Sequence, residues 1–338
     1  MKFIKLARIL AGVMLVFFLT VMPTPAHAEE GETPGEFTVG SSAPIVDSVE
    51  LYTTGGSPET TTYMSPQMEY NIQVEVSDAN TLGDLNTVTV TIFYDADGGY
   101  SDDEVAGAAD NQTRAILTWT NNGGSWSIEP SAGTGTSWVL GSCVAPDLGA
   151  STDIFEFYFK PGKVATETIT PAKWHIYAEA YDGTATANNT NQNNNMNWYG
   201  EITVPSETVD WSELIPGTDF GDETKQTGIS VNYTANGLYY EKVASSANWT
   251  SNSDNATLDV SGNPTNTNEF SLKADDTATL LTAVLVTAES TYVTIDDTGT
   301  QTTEDGDITT NTLWLKLSTV FLAETYSGKI YFQIANRD

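Results

Sequence analysis

Basic residues are what this chain has least of. Against 45 Asp and Glu it carries 13 Lys and Arg in 338 residues, for a formal net charge of −32. Nucleic-acid binding depends on clustered Lys and Arg that release counterions, and a surface this negative repels phosphate and anionic lipid headgroups alike, so both partners are excluded. Cysteine occurs once, at Cys143, and no intramolecular disulfide can form. Histidine occurs twice, at His27 and His175. That scarcity removes zinc sites built from His and Cys and leaves little for Ser-His or Cys-His nucleophile chemistry. No G-x-S-x-G, H-E-x-x-H, Walker loop or C-x-x-C is present. After the first 22 residues no long apolar run follows, so the mature chain has no membrane span. Hydrophobic residues still make up 39% of the chain and aromatics 10%, enough to bury real cores and too many for a disordered acidic tail.

What is present begins with an address. Lys2, Lys5 and Arg8 precede an apolar run over residues 9–22, and Ala26-His27-Ala28 supplies the small residues of a cleavage site. Residues 1–28 therefore read as a secretory signal peptide, its apolar run shorter than the ~20 residues of a spanning helix. Removing three basic and no acidic residues deepens the formal charge from −32 to −35 and leaves His175 as the one histidine. Residues 29–42 are polar and extended in character, a solvated leader. A sharper alternative is an arm whose Phe37-Thr38-Val39 adds to the sheet edge of a neighbouring subunit.

The remainder reads as strands. Ile72, Val74 and Val76 alternate with Gln73, Glu75 and Ser77, and Val88, Val90 and Ile92 alternate with Thr87, Thr89 and Thr91. Similar runs cover residues 45–52, 114–120, 138–144, 154–160, 174–181 and 198–204, separated by Gly, Asn, Asp, Ser and Pro clusters. The expected fold is all-β: two tandem antiparallel β-sandwiches, the first immunoglobulin-like over residues 43–204 and the second over 205–338. The boundary is placed at Val204-Pro205-Ser206-Glu207-Thr208. In the second half, Leu313, Leu315 and Leu317 and then Ile330, Phe332 and Ile334 each line one face, and these two runs are expected to pair as a closing antiparallel ladder. Alternation puts His175 on the Tyr177, Glu179, Tyr181 face, as an exposed strand histidine. Cys143 reads as a small hydrophobe buried in a strand, since a reactive thiol needs electropositive surroundings.

Hard cations are the ligand class this composition favours, because calcium takes six to eight oxygens from carboxylates, amides and backbone. The first candidate is Asp95, Asp97, Asp102, Asp103 and Glu104, a run of five carboxylates after a strand. A second requires topology: in a Greek-key sandwich two loops share a pole, which would bring Asp78, Asn80 and Asp84 near Asp182. A third is Asp296 and Asp297 with Glu304, Asp305 and Asp307. Solvated acidic turns are the alternative for each. Five Asn-x-Thr sequons, at Asn111, Asn188, Asn232, Asn248 and Asn255, are candidate glycosylation sites. An Asn-rich loop over residues 188–199, ending in Trp198-Tyr199, is a candidate sugar platform, although most tryptophans fall on strands and suit core packing. Paired-carboxylate glycoside hydrolysis survives the residue count, but nothing singles out a pair.

Residues 43–95, with Ala43-Pro44-Ile45-Val46-Asp47-Ser48-Val49-Glu50-Leu51, Tyr63-Met64-Ser65-Pro66-Gln67 and residues 77–85 (Ser-Asp-Ala-Asn-Thr-Leu-Gly-Asp-Leu), resemble the immunoglobulin-like domains of secreted and surface-layer proteins of archaea and bacteria. The C-terminal unit, with Asp210-Trp211, Pro216-Gly217 and Tyr326-Ser327-Gly328-Lys329-Ile330, resembles the β-sandwiches of surface and filament subunits. It lacks the paired Trp-x-Leu motifs of cell-wall-binding domains, since Glu213 and Lys316 stand two positions after Trp211 and Trp314. The resemblance implies a non-enzymatic, secreted structural or adhesive role at the cell surface. The partners implied are further copies of the chain in a filament, surface layer or matrix, or other envelope components. A pair of carbohydrate-binding modules and a carboxylate-based glycoside hydrolase fragment are the competing expectations.

Overall fold

A computed structural model of the chain describes residues 35–55, 59–131, 138–204 and 208–337. The expected signal peptide lies outside the described residues, as do the first six residues of the leader and the core of the expected domain boundary. Ser41–Asp338 form one compact unit, and residues 35–40, in the other unit, have no regular secondary structure. Regular structure is nearly all strand, in four sheets.

Two sheets form the first half. One runs β1 (Ile45–Thr53), β3 (Tyr70–Ser77), β8 (Thr152–Lys160), β7 (Val139–Leu140); the other runs β2 (Tyr63–Met64), β10 (Thr186–Met196), β9 (Lys173–Tyr181), β4 (Thr87–Asp95), β5 (Arg114–Thr120), β6 (Ser125–Glu129). Alternation explains their packing. Ile72, Val74 and Val76 on β3 and Phe155, Phe157 and Phe159 on β8 point the same way, because β3 and β8 pair in register. They meet Val88, Val90 and Ile92 on β4, Leu117 and Trp119 on β5 and Trp174 and Ile176 on β9, and all of these are fully buried in one cluster. The Trp119 and Phe155 rings lie 4.9 Å apart. Each such side chain contributes ~1.5–3 kcal/mol by leaving water.

The second half has a sheet ordered β11 (Gly200–Thr203), β12 (Lys225–Ala235), β19 (Asp307–Leu317), β16 (Glu269–Asp275), β15 (Asn255–Leu258), β14 (Asn248–Thr250), with β17 (Val284–Leu285) also on β16. Its second sheet is β18 (Val293–Gly299), β13 (Tyr239–Ser245), β20 (Ile330–Asn336). The expected ladder between residues 313–317 and 330–334 does not form. β19 pairs with β12 and β16, whereas β20 pairs with β13. Period-two alternation fixes which face is apolar and leaves the neighbour undetermined, so two apolar strands can face one core from opposite sheets.

The run over residues 198–204 also changes sheet. β11 pairs with β12, through Gly200↔Ala235 to Thr203↔Asn232, and so belongs with the second half. Asn236 fastens the junction. Its Nδ2 donates to the carbonyls of Ala165 and Asn197 at 2.8 and 2.9 Å, and its Oδ1 accepts from the Tyr199 amide at 2.6 Å. Its own carbonyl accepts from the Glu167 amide.

Candidate metal site

At the end of the first half remote from that junction, three segments converge. β3 ends at Ser77 and Asp78 follows; a single 3-10 turn, Leu82–Asp84, leads toward β4; and Asp182 opens the turn from β9 to β10. Because β4 and β9 pair with Thr87 opposite Tyr181, both turns emerge at the same end. Asp78, Asp84 and Asp182 thus offer carboxylate oxygens lying within 4.8 Å of one another. The last two residues of the leader, Ser41 and Ser42, lie at this pole. Ser41 Oγ lies 2.9 Å from Asp84 Oδ2 and 3.1 Å from Asp182 Oδ2, and Asn80 Oδ1 accepts from the Ser42 amide at 2.5 Å.

The carboxylates differ in surroundings. Asp182 is buried, and the amides of Ala185 and Thr184 donate to its Oδ1, holding its carboxyl below the usual range. Asp78 is 3% exposed; its Oδ1 accepts from the Asn80 amide at 2.7 Å, while its Oδ2 is buried with no hydrogen-bond partner. A buried, unpartnered carboxylate oxygen beside two further carboxylates is costly unless a cation offsets it. Asp84 is exposed and gives the pole an opening to solvent. An all-oxygen set of carboxylates, an amide carbonyl and a hydroxyl is the donor chemistry of a hard divalent cation.

The other acidic groups are arranged differently. The ligand oxygens of Asp95, Asp97, Asp102, Asp103 and Glu104 do not converge as those three do. Asp95 is buried with its Oδ2 3.6 Å from His175 Nε2; Asp97 Oδ1 accepts from the Gly99 amide; and Tyr100 donates to Asp102 at 2.7 Å. Asp103 and Glu104 sit in a four-residue helical turn capped by Ser101. In the third set, Asp296 accepts from the amide and hydroxyl of Thr298, and the Asp305 carbonyl accepts from Asn232 Nδ2.

His175 is fully buried, not exposed. Phe93, opposite it on β4, and Tyr100, from the segment after β4, cover that face with their rings 5.5 and 5.6 Å from the imidazole. Burial lowers its pKa, and Asp95 opposes that shift. Cys143 is half-buried and lies outside β7; burial pushes its thiol up to about 11, which keeps it protonated and unreactive. The Asn-rich stretch is strand β10 instead of a loop. Asn189 and Asn191 donate to the carbonyls of Val46, Asp47 and Val49 on β1, so these amides stitch the two sheets together. Trp198 packs against the buried Val231, Tyr233 cluster, and Tyr199 donates to Glu201 at 2.6 Å. Among the sequons, Asn188, Asn248 and Asn255 are exposed, whereas Asn111 and Asn232 are half-buried.

One buried ionisable group has no counterpart in the sequence reading. Glu241 on β13 is fully buried, and its carboxyl is pushed up to about 7 by burial and by Asp296 and Asp276, against a hydrogen bond from Thr309 at 2.9 Å. The signal is legible in the alternation: Tyr239, Glu241 and Val243 share the buried face of the strand. With no exposed atom surface it is closed to a substrate.

No protein-family model matches the chain, and no curated protein matches it. A solved structure with some likeness is the 35 kDa C-terminal fragment of the major pilin GBS80 of Streptococcus agalactiae. The two are 12% identical over 87% of this chain and 91% of that one, with a TM-score of 0.22.

Proposed function

We propose that this chain is a secreted, non-enzymatic structural or adhesive protein of the cell surface or extracellular space, which associates with copies of itself and is stabilised by calcium. The observation that carries the reading is the pole formed by Asp78, Asp84 and Asp182, crossed by Ser41 and Ser42. Three like charges at that spacing repel, and a divalent cation reverses the sign of the interaction. It would also fix the root of the N-terminal segment on the rigid sheets, which suits a subunit whose leader must project in a set direction. Weak extracellular calcium sites work at ~10⁻⁴–10⁻³ M, the range that a pole partly open to solvent supports. Exposed Asn188, Asn248 and Asn255 are the sequons best placed to carry glycan. Negative-stain microscopy of the mature chain, with calcium and with chelator, tests the reading. Filaments or lattices that depend on calcium support it; monomers at high concentration under both conditions reject it.

A further inference from the structure

The two halves are not equally closed. In the first, the inward-facing apolar side chains of β3, β4, β8 and β9 are buried, whereas in the second Ile229, Trp249, Tyr326, Ile330 and Phe332 are half-buried around a groove of about 600 Å³. The groove lies between two strand edges. β12 pairs with β11 only through residues 232–235, so its edge over residues 226–231 faces the groove without a strand partner among the described residues. β20, on the other side, pairs with β13 alone. An open core flanked by unpaired edges is the geometry that accepts an added strand, with main-chain hydrogen bonds supplying affinity and side-chain pockets supplying register.

The same chain carries a fitting strand. Residues 35–40 carry no regular secondary structure, and Phe37 and Val39 are 88% and 71% exposed. In extended backbone those two side chains share one face, with Glu36 and Thr38 on the other. Lys329 lines the groove and offers a cation to Glu36 in a chain with few cations.

This segment cannot reach its own groove. Ser41 is held at the pole, and the four residues back to Phe37 span at most about 14 Å. The nine residues of β9 separate that pole from the junction by about 26 Å. Among the described residues, hydrogen bonds between the halves cluster at the junction and include those on Gln112, Lys163, Val164, Ala165, Thr166, Glu167, Asn197 and Tyr199. The groove lies further still, because β12 runs about 20 Å from Ala235 at the junction to Ile229.

We infer that Glu36–Gly40 of one copy inserts as an additional strand between β12 and β20 of the next, with Phe37 and Val39 filling the groove over Ile229, Trp249 and Phe332. The inference rests on the reading of the chain as a self-associating subunit and names its joint. Ser41, where the donor segment joins the folded unit, and the acceptor groove lie at opposite ends of Ser41–Asp338, so the contact is heterologous; repeated, it gives an open head-to-tail filament instead of a closed dimer.

The test uses the full mature chain carrying Phe37→Asp and Val39→Asp, whose own arms cannot fill grooves, titrated with a labelled peptide of residues 35–42. Saturable binding is expected, weakened about thirtyfold or more when the peptide carries Phe37→Asp. Ile330→Lys in the acceptor should abolish it while circular dichroism and melting temperature confirm the fold. Absence of saturable binding up to about 1 mM peptide overturns the inference whether or not the wild type polymerises. Polymer without peptide binding rejects this joint and leaves self-association standing. Peptide binding in a wild type that stays monomeric by microscopy keeps the groove as an acceptor and rejects the filament.

Discussion

Ser41 Oγ lies 3.1 Å from Asp182 Oδ2, a contact across 141 positions of sequence that ties the start of the folded chain to the far end of β9. The same hydroxyl lies 2.9 Å from Asp84, so one serine bridges two carboxylates that would otherwise repel. Calcium at this pole should therefore stabilise the whole first half. At about 100 times its dissociation constant an ion adds ~2.7 kcal/mol, which in a chain of this size raises the melting temperature by about 5–10 °C. Calorimetry with calcium against chelator should show that rise in the wild type and in Asp102→Asn. It should vanish in Asp84→Asn, whose exposed position spares the fold. A wild-type melt indifferent to calcium rejects the ion.

The convergence of these carboxylates is largely legible in the sequence. Asp78, Asn80, Asp84 and Asp182 follow from alternation plus one topological premise, that the loops after the second and sixth strands share an end. His175 departs from its expected exposed position because period two reports which residues share a face and says nothing of what later covers it. Here the segment after β4 returns over the outer face and buries Thr91, Phe93 and Asp95 with the imidazole. The Asn-rich strand departs from the expected loop for a related reason. Asn is a turn former in isolation, yet on β10 its amides satisfy the carbonyls of another sheet's strand, a tertiary partner that no local pattern announces.

Glu241 predicts an inverted pH response in the second half. Its folded-state pKa, about 7, lies above the unbound value of 4.5, so the folded state holds a proton that the unfolded state gives up. Its stabilising contribution is complete below about pH 4.5 and is lost as pH rises through about 7, a change of roughly 3 kcal/mol. Urea unfolding across that window should show stability falling with pH in the wild type relative to Glu241→Gln, which keeps the shape and cannot ionise. Parallel profiles for the two proteins would mean that the carboxyl is not held protonated.

His175 carries the opposite sign. Burial lowers its folded-state pKa below 6.5, so the native protein keeps it neutral while the unfolded chain takes up a proton. The stability this represents is present above pH 6.5 and drains away as pH falls below it. In the mature chain the imidazole C–H resonances should belong to this residue, and proton NMR should find them unmoved from pH 8 to about 6.5. A midpoint at or above 6.5 would show that Asp95, 3.6 Å away, outweighs burial.

Equal truncations should have unequal costs in the two cores. Phe157 is fully buried among Trp126 and its neighbours, and Phe157→Ala should cost about 3–5 kcal/mol. Phe332 is half-buried at the groove, so Phe332→Ala forfeits less transfer energy and opens no sealed cavity; its cost should be less than half as large. Denaturant unfolding of the two variants in monomeric solution measures the ratio. A Phe332→Ala penalty matching that of Phe157→Ala would mean that the groove is closed in solution.

Asn236 should decide whether the halves unfold together. Its side chain is fully buried at the junction, its amide nitrogen donates twice and its amide oxygen accepts once, so none of these bonds can be replaced by water without opening the junction. Asn236→Ala strands two carbonyls and the Tyr199 amide, at about 1–3 kcal/mol for each group left unpaired. The loss falls on the coupling between the halves and leaves both cores intact. The expected result is that one calorimetric transition in the wild type becomes two in the variant, with the calcium-dependent shift confined to the half containing Asp78, Asp84 and Asp182. A variant that still melts in a single transition, merely at lower temperature, would place the coupling in the β11–β12 ladder instead, where Gly200 to Thr203 carry the chain from one half into the other.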